Sequence, residues 1–505
     1  MIDIKKQKRS TKSILLAGVI LFIVLTYYVV AMVQRNHLVR ENRSYSLLIS
    51  PKTVKFGGEK ISGEIFSGME TARSEKDPEL INEIKKVIAQ KEMPSEIFKN
   101  KPSENTNIAL TLNNTFRLEN IEDLKILRAA APKDAQWNIT NQTLEQLDEI
   151  LTRFEPKRLT IRNAINRPDT HFYFIFEHDE ELGEIVDISA ADYLEDYLLL
   201  EEYAIARALR GGQIEEALNS LVYIFRIAQL ASEVAVPAVR SSAALIRLRA
   251  VDVMQTVILD EKFNKRYLNG LYGMILEQLK SWTPDRTVWA ADRASGMKTY
   301  HRILQYGVEA ALTPEEIEDL EQRGLLVFIT RKQKKRKNNK TNNDNNTENY
   351  ETKETILLKD NFFKTHIADE VFYLQSMQKI IDVCNKPFYQ RISILDEINN
   401  EILLKIDKGQ EPIIGVLLLR DIVRLMRLYA QDRAGCEIAF LAMSLSLEKP
   451  TIPALIANPF SEEKYKINQT KDDENPNKKF ILVSSQGNHL PFRVPDYRTK
   501  TKKIE

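Results

Sequence analysis

The stretch that most constrains this chain is residues 14–33, twenty positions without a charged side chain. At about 1.5 Å of rise per residue, a helix of that length reaches roughly 30 Å, the thickness of a bilayer hydrocarbon core. The run is apolar on every face, whereas a helix lying on a globular core keeps a polar side. A cleaved signal peptide has a shorter apolar region, roughly 7–15 residues, ahead of a small-residue site. Val29-Val30-Ala31 imitates such a site only poorly. The sequence therefore predicts a retained transmembrane helix over residues 13–34, contacting the lipid bilayer through residues 14–33.

Orientation follows from the flanks. Lys5, Lys6, Lys8, Arg9 and Lys12 precede the helix, and Arg35, Arg40 and Arg43 follow it. The positive-inside bias places residues 1–12 in the cytoplasm. The expectation is a single-pass protein of the cytoplasmic (inner) membrane, with the bulk of the chain extracytoplasmic, or periplasmic.

Composition narrows what the body can be. A net charge of +1 creates no global field for nucleic acid, so no nucleic-acid partner is expected. Glycine is scarce, at 17 residues, which favours helix over sheet. Cys384 and Cys436 are the only cysteines. They exclude a disulfide-rich scaffold and a cysteine-based zinc site, and leave either two buried thiols or one bridge in an oxidising compartment.

Along the chain, residues 35–190 read as a mixed α/β region. Residues 77–90 suit a charged helix opened by Asp77 and Pro78. Ile108-Ala-Leu-Thr-Leu112 and His171-Phe-Tyr-Phe-Ile-Phe176 read as short extended stretches, and residues 143–154 as a helix. Residues 191–330 form a helical array: 191–209, ended by Gly211-Gly212, then 213–232, then Pro237 to about Ile258, then 264–281. Further helix starts fall at Thr283-Pro284 and at the capping box Thr313-Pro-Glu-Glu316. Residues 331–355 are basic and then Asn-rich, too polar to bury a core, and read as a disordered linker. Residues 356–449 continue the array, with helices at 361–385 and 388–405 and one long stretch from Pro412 to Leu447. In that stretch Leu418, Ile422, Leu425, Leu428 and Tyr429 make the apolar stripe, and Arg420, Arg424 and Arg427 a solvated one. Residues 450–505 end in a β-hairpin built from Tyr465-Lys-Ile467 and Phe480-Ile-Leu-Val483. The fold class expected is mainly α: antiparallel helix hairpins, irregular and tetratricopeptide-like, with a small β tail.

The search for chemistry yields no catalytic, cofactor-binding or metal-ligating assignment. His37, His171, His178, His301, His366 and His489 never fall in the spacing that presents two imidazoles to zinc. His178-Asp179-Glu180-Glu181 is the densest cluster of ligand types, but neighbours on a strand point in different directions. His366 and Glu370 form an i, i+4 pair that supports a helix without metal. Phosphate-loop and nucleophile-elbow patterns are missing.

Two resemblances add to this reading. Asn166-Arg-Pro-Asp-Thr-His-Phe172, with Ala206-Arg-Ala-Leu-Arg-Gly-Gly-Gln-Ile-Glu-Glu-Ala217, resembles an uncharacterised family of membrane-anchored helical proteins typical of planctomycete-type bacteria. The resemblance runs from about residue 150 to residue 495 and implies an architecture without an activity. In the tail, Asn458-Pro-Phe460, Tyr465-Lys-Ile467 and Phe480-Ile-Leu-Val-Ser-Ser-Gln-Gly-Asn488 resemble the C-terminal end of type II secretion major pseudopilins. There a calcium loop follows; here Asn488 leads into His-Leu-Pro-Phe, without acidic ligands.

The functional expectation is a membrane-tethered interaction or scaffold protein with unidentified protein partners and no catalytic site. The alternatives are an accessory component of the cell envelope or of a type II-like secretion apparatus, and an enzyme of unrecognised type. Oligomeric state is left open.

Overall fold

The computed structural model describes residues 78–97, 106–116, 144–173, 190–234, 236–306, 314–323, 360–408 and 412–471, a few isolated positions, and strands at 54–55, 175–179, 183–187, 326–334, 350–358, 479–484 and 492–495. The predicted membrane helix over 14–33 lies outside the described residues. Among those described, no helix is long and apolar enough to cross a membrane.

Thirteen labelled helices carry the described fold. The first four are α1 (Pro78–Ala89), α2 (Ile108–Phe116), α3 (Leu144–Ile165) and α4 (Ala190–Arg210). Next come α5 (Ile214–Ser232), α6 (Pro237–Leu259), α7 (Lys265–Lys280), α8 (Asp285–Tyr306) and α9 (Pro314–Gln322). The last are α10 (Asp360–Val383), α11 (Phe388–Asp407), α12 (Ile413–Leu419) and α13 (Ile422–Ser446). Their ends follow local chemistry. Gly212 sits at φ +67°, the left-handed turn that lets α4 reverse into α5. Proline opens α6 at its first turn. Asn264 caps α7, its side-chain oxygen accepting from the N–H of Arg266 at 2.9 Å and of Tyr267 at 3.3 Å.

Two apolar cores share these helices. The first gathers α2 to α7 with the C-terminal half of α13 and the tail sheet. The second gathers α1, α8 to α12 and the N-terminal half of α13. Helix α13 is the spine between them: Ile422, Met426 and Tyr429 face the second core, and Phe440 and Met443 the first. From Ala434 to Ser444 every residue of α13 is buried, as expected of a helix enclosed on all sides.

The strands are peripheral. β2 (Ile175–Asp179) and β3 (Gly183–Asp187) form a hairpin, with β1 (Val54–Lys55) against β3. β4 (Leu326–Lys334) pairs antiparallel with β5 (Tyr350–Leu358). β6 (Lys466–Lys471), β7 (Lys479–Ser484) and β8 (Phe492–Pro495) make a three-stranded antiparallel tail sheet. Ile481, Val483, Phe492 and Val494 bury into the first core. The side chain of Gln255 on α6 brackets the Arg493 backbone, accepting its N–H at 2.6 Å and donating to its carbonyl at 2.7 Å.

Five expectations need correction. Residues 108–112 are helical, because Ile108, Ala109, Leu112, Asn113 and Phe116 bury one face at helical spacing. A short apolar run cannot be told from a strand by periodicity alone. The helix begun near residue 143 continues through Pro156 to Ile165. The stretch from Pro412 to Leu447 is two helices, broken at Arg420-Asp421. Part of the expected linker, 331–334 and 350–355, is paired strand, since a ladder satisfies backbone groups even where side chains are polar; residues 335–349 lie outside the described set. Finally, the tail is a three-stranded sheet rather than a hairpin, because Phe492 and Val494 bring a third strand onto the core.

Candidate functional site

Helix α5 packs closely along α4 and α6, while α7 lies mainly against α13. The wedge left between α5 and α7 is an open groove of about 360 Å³. One end is crossed by Tyr267, whose hydroxyl donates to Glu215 at 3.3 Å. Further along the two helices, past the groove, Gln278 donates to Gln229 at 2.9 Å, and Gln229 to Ser281 at 2.9 Å. Along the groove itself run Leu218, Val222, Leu271 and Met274. Val222 is 44% exposed.

Gly270 and Gly273 lie on α7 beside this apolar strip. A Cβ added at either would meet nothing within 4 Å. Glycine inside a helix costs roughly 1 kcal/mol relative to alanine, and no contact within the described residues requires its small size here. Gly270, in the groove's lining, lowers its wall so that another backbone can approach closely.

A second apolar surface lies at the end of α11, where Leu403 and Leu404 are 59% and 57% exposed. Nearby, a cleft of about 250 Å³ between α11, α12 and α13 is lined by Ile398, Ile402, Val423, Asn399 and Arg420. Neither groove has a pair of carboxylates in its lining.

The polar chemistry is buried instead. On α4, Glu201 receives two arginines of α3: Arg158 at 3.2 Å, and Arg162 through Nε at 2.7 Å and through Nη2. On α10, Asp369 accepts the backbone N–H of Ile414 at 3.0 Å and of Gly415 at 2.8 Å, and the Tyr300 hydroxyl at 2.5 Å. It caps α12 from another helix. Burial raises the Asp369 carboxyl to about 6, against the lowering effect of these donors.

A third polar centre lies on the seam between the cores. Arg240 and Arg247 of α6 and Arg433 of α13 place their guanidiniums 5.2, 4.7 and 4.9 Å from the ring centre of Trp282. Arg247 donates to Asp432 at 2.9 Å, and Arg433 to Glu437 at 2.7 Å. Burial raises Asp432 to about 6, while Arg247, Arg240 and Arg433 oppose the shift. Burial, then the charge of Arg247, lowers Arg240 from its ordinary value.

The ligand types singled out from the sequence do not meet. His178 and Asp179 are on β2, Glu180 and Glu181 lie outside the described residues, and His366 and Glu370 share α10. Among the described residues, no group of three or more His, Cys, Asp or Glu is placed to hold a metal ion. Cys384 and Cys436 are free and buried in α10–α11 and α13 surroundings, with burial raising both thiols to about 12. Sequence reasoning missed the seam. Its signal was present: Arg240 and Arg247 interrupt an alanine-rich apolar face of α6 seven residues apart, where a buried guanidinium needs a partner.

No protein-family model, curated protein or solved structure matches the chain.

Proposed function

We propose that this protein is a membrane-tethered interaction protein whose helical array presents the α5–α7 groove to an amphipathic helix of a protein partner. The groove carries this reading. The lining runs from Glu215 to Val222 on α5, about 10 Å of helix at 1.5 Å per residue, or about two turns of a docked helix. Apolar side chains line it, the Tyr267–Glu215 pair closes one end, and Gly270 in its wall admits a close backbone. Helix-in-groove recognition uses such a strip to take anchors at helical spacing. The tether is the apolar run over residues 14–33, with the body extracytoplasmic.

A photo-crosslinking residue at Asn219, exposed beside the strip, tests this in cells carrying the full chain. The expected result is a discrete crosslinked partner, lost when Gly270→Leu fills the groove and retained when Glu261, exposed outside it, is replaced by Leu. A product that survives Gly270→Leu would refute the groove as the docking site.

The secretion-apparatus reading rests on the tail. Because β7 and β8 are part of the first core, deleting residues 450–505 would disturb the fold as well as the tail. Charge reversal at exposed Lys464 and Lys466 leaves the core intact, and unaltered secretion in that variant would count against this alternative.

A further inference from the structure

Three arginines of the first core close the same edge of their guanidinium, Nε with Nη2, on a carboxylate. Arg128 holds Asp196 at 2.7 Å through both nitrogens, and Arg158 holds Glu155 at 2.8 Å through both. Arg162 grips Glu201 in the same manner. This edge matches two oxygens of a carboxylate or a phosphate.

Arg240 has that edge without a carboxylate on it. The residue is 0% exposed, and its Nε and Nη2 have no hydrogen-bond partner among the described residues. Its Nη1 reaches the Ser232 carbonyl at 3.4 Å. The rings of Trp282 and Tyr429 lie 5.2 and 5.5 Å away. Seven residues on, Arg247 sits against the same indole. Its Nη1 is taken by Asp432 and its Nη2 by the Ala228 carbonyl at 3.2 Å, and its Nε has no partner among the described residues. Asp432 Oδ1 is a buried acceptor in the same condition. Three guanidiniums thus stand beside two carboxylates, Asp432 and Glu437, with three N–H donors and one carboxylate oxygen left over. Buried polar groups of this kind are ordinarily satisfied.

We propose that this seam binds a singly charged tetrahedral oxyanion that still carries a proton, either dihydrogen phosphate or the monoanion of a small phosphate monoester. Arg240 Nε and Nη2 donate to two oxygens, Arg247 Nε donates to a third, and Asp432 Oδ1 accepts from the P–OH. The ligand neutralises the one positive charge that the two carboxylates leave uncompensated. Sulfate has the same shape but no proton at neutral pH, so it would meet Asp432 lone pair against lone pair. Trp282 and Arg433, both partly exposed, border the seam. Since α6 carries the donors and α13 the acceptor, and α13 joins the two cores, occupancy ties the cores together. This inference is independent of the partner groove.

Melting temperature and tryptophan fluorescence of the full chain in detergent, titrated at constant ionic strength, test it. The probes are inorganic phosphate, glycerol 3-phosphate, sulfate, acetate and chloride. The expected result is a saturable rise in melting temperature with phosphate or the monoester, accompanied by a change in emission. Sulfate should bind about tenfold more weakly or worse. Comparing phosphate with glycerol 3-phosphate tells which source fills the site. Arg240→Lys keeps the charge and removes the fork, so it should lose the phosphate response. Trp282→Phe should lose the emission change yet keep the thermal one. Absence of a saturable phosphate or monoester response in the wild-type chain overturns the proposal, as does a response retained in Arg240→Lys. An equal response to sulfate removes Asp432 from the site and overturns the phosphate assignment. If Arg240→Lys does not fold, anomalous scattering from bound arsenate in crystals of the wild-type chain decides instead, density away from Arg240 refuting the site.

Discussion

In the first core, Glu201 is wholly buried and answered by two cations, Arg158 and Arg162. In the second, Asp369 is equally enclosed but answered by two backbone amides and a tyrosine hydroxyl. Both carboxylates join distant parts of the chain, Glu201 tying α3 to α4 and Asp369 tying α10 to α12 and α8. The difference lies in what remains when the acid is removed: buried positive charge in one core, neutral donors in the other. A buried cation without its partner is the costlier residue.

The largest effect should therefore come from Glu201→Ala, a loss of about 3–5 kcal/mol in urea unfolding, since Arg162 loses its carboxylate and Arg158 is left with Glu155 alone. A loss below about 1 kcal/mol would mean that water reaches Arg158 and Arg162, and the contrast between the cores would collapse. Asp369→Ala should cost about 2–4 kcal/mol, leaving the N–H of Ile414 and Gly415 and the Tyr300 hydroxyl unsatisfied. If it exceeds Glu201→Ala, neutral donors matter more in this fold than charge.

The pH dependence sharpens the same comparison. Folded Asp369 holds its proton up to about pH 6, whereas the unfolded residue releases it near 3.8. The stability from that proton is complete below 3.8 and is lost as pH rises through 6, on the order of 3 kcal/mol in all. Asn does not titrate, so the stability advantage of wild type over Asp369→Asn should shrink between pH 4 and pH 7. Parallel unfolding curves at the two pH values, or an advantage that grows, would contradict the assignment.

The smallest effect concerns the groove. Gly270→Ala should stabilise the protein by about 0.5–1 kcal/mol, because the new methyl meets nothing and helix propensity improves. A destabilised variant would show that Gly270 serves packing within the chain rather than access to it.

Much of the helical array was legible from local chemistry. Proline at the start of α6, Asn264 at the start of α7 and Gly212 after α4 mark ends that any reader of helix caps would place, and Ile214, Leu221, Phe225 and Ala228 bury as their spacing predicts. Helix α2 was misread because a five-residue apolar run carries no period. The break at Arg420-Asp421 was missed because neither Gly nor Pro stands there and the Asp421 side chain makes no cap hydrogen bond, so the apolar spacing reads through it. Of the candidate sites, the groove was invisible, since Leu218, Val222 and Met274 read as ordinary positions on two separate helices.

Sequence alone determined where most helices of this protein begin and end, because caps, prolines and apolar spacing act within a few residues. It also determined the uncharged run at 14–33 that motivates a membrane tether. Tertiary structure decided which charges are buried and with whom: Arg247 meets Asp432 across 185 positions, and Asp369 meets Gly415 across 46. It alone decided that Arg240 keeps an open fork, because burial and partnership belong to the packing of α6 against α13 and not to either helix by itself.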